Sequence, residues 1–155
     1  MGATNLIEGK YWESQQMEIP GIVTGAGYAD LDTFGTLFSV PCPRFWMLTE
    51  VRFYDLDDEG INKRLILAQD RIAVTSADNA ALVVTDTSLP LILGGPVDIS
   101  IFSDLNSGQV GGADNLNRLM RTPSGFFYCQ VQTRGADNIA AGSIPRLQFI
   151  GVEYG

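Results

Sequence analysis

The sequence predicts an all-β fold, an antiparallel β-sandwich of jelly-roll type with about eight strands. Three observations carry that expectation. Short runs alternate apolar and polar side chains, the period at which a strand turns one face to a core. Clusters of Gly, Pro, Asn and Asp separate these runs. Charged residues are 18% of a 155-residue chain that holds 17 glycines, which suits strands and turns better than charged helices. No βα alternation and no fixed repeat are present, so a parallel α/β sheet and a solenoid are not expected. An immunoglobulin-like sandwich is the alternative architecture.

In chain order, residues 1–20 have no clean period and end at Pro20-Gly21, so they are read as an N-terminal arm leading into one domain over 21–155. The arm holds Leu6, Ile7, Tyr11 and Trp12, poor choices for a free tail in water, so it either folds back or docks on a neighbour. "TFGTLFSV" alternates, with Phe34, Phe38 and Val40 on one side, until "PCPR" interrupts it. "FWMLTEVRFY" is the clearest strand. Its alternation puts Phe45, Met47, Thr49, Val51 and Phe53 on the expected core face. Trp46, Leu48, Glu50, Arg52 and Tyr54 then face outward. "RLILAQDRIAV" has an ambiguous period, and its β-branched residues favour strand. "VDISIFSD", "FFYCQVQT" and "IPRLQFIGVEYG" read as later strands. Between them, residues 104–125 read as a long polar loop with one helical turn at "NLNRLM", and "GADNIAAGS" as a further loop.

Composition excludes several kinds of chemistry. The net charge is −8, and the densest basic pair is Lys63-Arg64, so no surface for phosphate neutralisation, and no nucleic-acid partner, is expected. With no histidine, Ser-His-Asp and Cys-His mechanisms are excluded. Two cysteines without histidine cannot complete a structural zinc site. Cys42 and Cys129 are expected as two thiols packed as small hydrophobes, Cys129 lying inside an apolar run. No stretch reaches the ~18 apolar residues of a membrane span. "MGATNLIEGK" lacks a secretory signal pattern, and Leu6 breaks the myristoylation pattern, so a soluble chain made in the cytoplasm is expected.

The sharpest local feature is "FYDLDDEGINK", with four acids in five positions. Counted from Asp55, the residues Asp55, Asp57, Glu59 and Gly60 match the first half of an EF-hand loop. Lys63 and Ile66 fall where the last ligands belong, so the shell cannot close locally. A solvated hairpin tip is expected, with no metal and no cofactor. Read as a glycosidase pair, the same acids lack a cleft to face. "GGPVD" and "GGADNLNR" lack the spacing of a phosphate loop. No catalytic residue is assigned, and the chain is not expected to be an enzyme. Trp12, Trp46 and Tyr54 could stack on a sugar ring, but an outward Trp46-Leu48-Tyr54 stripe fits protein packing better. Tyr11, Trp12, Trp46, Leu48 and Tyr54 are therefore the expected interface residues.

The arm "MGATNLIEGKYWESQQ", the strands "FWMLTEVRFY", "VDISIFSD" and "FFYCQVQT", and the closing "IPRLQFIGVEYG" together resemble the jelly-roll capsid cement, or decoration, proteins of tailed bacteriophages. The resemblance covers most of the chain and is one of style, without a diagnostic motif. It implies a structural virion protein on the outer capsid surface, made in the host cytoplasm. It also implies a homo-trimer or homo-dimer that bridges copies of the major capsid protein, with termini reaching across to neighbours. The other function kept open is a carbohydrate-binding sandwich of a phage fibre or base plate, with an aromatic platform beside residues 104–125.

Overall fold

The computed structural model describes residues 9–25, 27–73 and 77–154. Two antiparallel sheets lie face to face, as the alternating runs predict. The larger sheet orders β1 (Lys10–Glu13), β13 (Arg146–Glu153), β5 (Phe45–Asp55), β9 (Gln109–Ala113) and β8 (Ile101–Asp104). In addition β2 (Met17–Glu18) pairs with β13, and β10 (Arg118–Arg121) pairs with β5. The smaller sheet orders β4 (Thr33–Pro41), β11 (Phe126–Thr133), β6 (Lys63–Ala68) and β7 (Val97–Ile99). A short ribbon joins β3 (Gly27–Tyr28) to β12 (Asp137–Asn138). Of the ambiguous run "RLILAQDRIAV", Arg64–Ala68 belongs to strand β6, residues 69–73 are irregular and Val74 lies outside the described residues; a six-residue 3-10 helix, Asp86–Leu91, follows later.

Between the sheets lies one aromatic-rich core. Phe34, Val40, Leu65, Leu67, Phe127, Cys129 and Val131 come from the smaller sheet. Trp46, Leu48, Val51, Phe53, Leu147, Phe149 and Met120 come from the larger one. Phe127 is central, edge-on to Phe149 with centroids 4.9 Å apart and 5.7 Å from Trp46. Such edge and tilted contacts suit the ring quadrupoles.

Three expectations need correction. Residues 10–13 and 17–18 of the expected arm are edge strands of the larger sheet, and only residues 1–8 lie outside the described residues. The expected 104–125 loop contains β9 and β10, and its "NLNRLM" segment is strand where a helical turn was expected. The third concerns β5. Its pairing with β13 is irregular: Glu50 faces Ile150, while Leu48 faces Gly151, so Thr49 is an extra residue. A bulge of this kind reverses which face each side chain takes. Val51 and Phe53 point inward as expected, but below the bulge Trp46 and Leu48 take the core positions. Phe45, Met47 and Thr49, expected in the core, do not.

The bulge brings β13 close over Trp46. A methyl at Gly151 would run into the Met47 carbonyl and lie 2.8 Å from the indole, so glycine is required for contact here.

Candidate contact surface

The acidic stretch folds into a turn after β5, but it is not the expected solvated hairpin tip: β5 and β6 lie in different sheets, so the turn carries the chain from one sheet to the other. Asp55 is buried, and its carboxylate accepts backbone N–H groups from Asp57 (3.0 Å), Glu59 (3.0 Å) and Gly60 (2.7 Å). Asp57 accepts from the Ala140 N–H at 3.0 Å. Both carboxylates are thus committed to holding backbone, and Asp58 takes φ 57°, a conformation Asp tolerates in turns. Among the described residues no group of three or more His, Cys, Asp or Glu side chains is placed to hold a metal.

Beneath this turn Lys63 and Asp137 form a buried pair, Nζ to Oδ2 2.7 Å. Lys63 also donates to the Ile61 carbonyl at 2.8 Å. Its ammonium lies 4.8 Å from the Phe34 ring centre and 5.6 Å from that of Phe53. Burial pulls the lysine pKa down, and Asp137 opposes the shift. Loss of hydration, with Asp137 next to it, pushes the Glu59 carboxyl up. Every partner in this group is internal to the fold, so it reads as a structural fastening of β6 to β12.

The five expected interface residues part company. Trp46 and Leu48 are fully buried, and the Trp46 indole donates to Thr122 Oγ1 at 3.3 Å. They cannot touch a neighbour, which corrects the outward stripe. Trp12 is half-buried and packs on Trp46, centroids 4.7 Å apart. Tyr54 is half-buried on the outer face, its hydroxyl donating to Gln148 Oε1 at 2.9 Å. Tyr11 remains 69% exposed.

Tyr11 belongs to a feature that the reversed alternation of β5 creates. Directly opposite residues in adjacent strands share a face. Tyr11 pairs with Val152, Val152 with Met47, and Met47 with Leu119. These four form an apolar row across β1, β13, β5 and β10 on the outer face, with Leu119 53% exposed. Phe45 and Tyr154 extend it, rings 6.2 Å apart. Gly9 sits against Val152 and Tyr154, so the chain enters β1 at this row. Tyr11 and Leu119 are the exposed members of the row, and Met47 and Val152 are half-buried between them. Sequence reading missed Met47, Leu119 and Val152. The exposed neighbours of β10 were masked by its reading as a loop, and Met47 by the unseen bulge.

Of the aromatic residues named for a sugar platform, Trp46 is enclosed, and Trp12 and Tyr54 are half-buried. Cys42 and Cys129 are free thiols, as expected; burial raises the pKa of both. No helix among the described residues is long and apolar enough to cross a membrane.

A scan against family models finds no match. Neither a search of curated proteins nor one of solved structures finds a similar chain.

Proposed function

We propose that this chain is a structural virion protein, a capsid cement subunit that self-associates and bridges copies of a major capsid protein. The observation that carries the reading is the outer-face apolar row, Tyr11–Val152–Met47–Leu119, set on a rigid sheet at the point where the N-terminal segment enters. Strand order adds support. Take β1 with β2, β4, β5, β6, β7, β9 with β10, β11 and β13 as eight strands in chain order, with β8 an added edge strand and β3 and β12 a separate ribbon. The first, last, third and sixth then share one sheet, and the second, seventh, fourth and fifth share the other. That interleaving is compatible with a jelly roll, an architecture of viral capsid domains and also of lectins. Cement activity needs no reacting group. It needs contacts that are individually weak and multiplied by the symmetry of a lattice.

In this reading the apolar row meets the capsid protein and residues 1–8 add contacts beside it. The test is decoration of empty capsids by the whole chain, by Leu119→Asp, and by a chain lacking residues 1–8. Leu119 is exposed, so L119D is expected to keep its melting temperature and lose decoration. The truncation is expected to weaken decoration while leaving β1 intact. Undiminished decoration by L119D rules out the row as the capsid contact.

A further inference from the structure

The two ends of the sandwich carry apolar patches and differ in charge balance, with Asp70 and Glu153 standing beside the arginines at one end and Arg146, paired with Glu18, at the other. Strand β5 spans 11 residues, so its ends are separated by roughly 33 Å. At its first end Arg44 and Arg121 are exposed and line a recess of about 530 Å3 with Phe45, Gln69 and Pro123. Arg52, Lys63, Arg64, Arg134 and Arg146 each face a carboxylate. Arg44 and Arg121 face none among the described residues. Phe45 and Phe126, exposed by 42% and 44%, lie at this same end. At the far end stands the acidic turn, with Asp58 and Glu59 exposed and Asp104 beyond it at the end of β8. Leu56 and Leu105, exposed by 42% and 65%, line one recess there with Gln109.

We propose that copies of this chain associate head to tail, the Arg44–Arg121 end of one receiving the Asp58–Glu59 turn of the next. Each end offers an apolar centre beside charged groups, the composition of a protein interface. The charges also choose the partner surface. On a chain of net charge −8, most approaches of a second copy are repulsive, and an unpaired guanidinium pair against the acidic turn is an attractive one. The contact is heterologous, so copies add as an open stack unless their rotation closes a ring. This deepens the preceding reading by naming the surfaces of self-association, and it rests on that reading only for where the stack would be used.

The experiment is sedimentation velocity of the full chain over a concentration series, at low ionic strength and at about 1 M salt, where the Debye length falls to about 3 Å. The variants are Arg44→Glu with Arg121→Glu, and Asp58→Lys with Glu59→Gln. The second pair leaves Asp55 and Asp57, which hold the turn, in place. The wild type is expected to grow in mass with concentration at low salt and to shrink at high salt. Each double variant alone is expected to be monomeric, with a circular dichroism spectrum like that of the wild type. An equimolar mixture of the two is expected to associate again, because each reversed end then meets its complement. A wild type that stays monomeric, association that persists in both variants, or a mixture that fails to associate overturns the proposal. Capsid decoration by the wild-type chain is read separately, so a wild type that associates head to tail but does not decorate counts against the cement reading alone.

Discussion

Removing Asp137 should cost this domain a large share of its stability, because it would strand the Lys63 ammonium in the core. Both side chains are nearly sealed, at 2% and 3% exposure. After Asp137→Ala the ammonium keeps the Ile61 carbonyl, two aromatic faces and the weaker attraction of Asp55 and Glu59, neither within ion-pair distance. Breaking a buried pair from one side costs about 3–5 kcal/mol. For a domain of this size each kcal/mol moves the melting temperature by about 2–4 °C, so the expected fall is roughly 6–20 °C. Urea unfolding monitored by tryptophan fluorescence gives the free energy directly, since Trp46 is enclosed and should report on core opening. The pair itself is not expected to be strongly stabilising. Lys63→Met combined with Asp137→Leu should recover most of the loss, as apolar replacements of buried pairs commonly do. The sign with pH follows from burial. The folded-state lysine pKa lies below its unfolded value, so the native state sheds this proton first, and the Lys63 contribution to stability rises as pH climbs between the two values. A cost below about 1 kcal/mol for D137A, or a double variant as unstable as the summed singles, would refute the assignment.

Other perturbations probe separate parts of the structure. Glu59 has a folded-state pKa above its unfolded one, so its stabilising contribution is present at acid pH and lost as pH rises through the folded value. Glu59→Gln should therefore melt higher than the wild type at neutral pH, and the gap should close as pH falls below the carboxylate range; an equal gap at both pH values contradicts this. Cys129 is fully buried and Cys42 half-buried, each with a raised thiol pKa. A thiol reagent should leave Cys129 unlabelled in the native protein and label both cysteines in denaturant, as mass spectrometry would read. Gly151→Ala forces a methyl against the Met47 carbonyl and the Trp46 ring, and overpacking of this kind costs about 1–3 kcal/mol by denaturant unfolding.

The fold class was readable because apolar residues recur at every second position over much of each long run; in β11, for example, Phe127, Cys129 and Val131 are all fully buried. The contact surface was less readable because it depends on a single inserted residue. Nothing in "FWMLTEVRFY" announces that Thr49 is unpaired, since the bulge is defined by its partner strand β13, about a hundred positions away. One residue of slip moved Trp46 and Leu48 inward and Met47 outward. The acidic turn was legible for the opposite reason. Its geometry is local, and Asp55 caps the N–H groups of residues two to five positions on. The Lys63–Asp137 pair lay between these cases: the two residues stand far apart in sequence, and only sheet pairing brings them together. The polarity along β5 likewise emerges only once strand ends are sorted by position in space.

The central claim is that this sandwich acts by contact with a repeating protein lattice. The most direct measurement of this proposal is co-sedimentation of the purified chain with empty tailed-phage capsids. Binding should saturate at a fixed ratio of chain to major capsid protein, and bound capsids should resist heat or denaturant longer than bare ones. A chain that stays in the supernatant at every concentration, with its fold intact, would contradict the account.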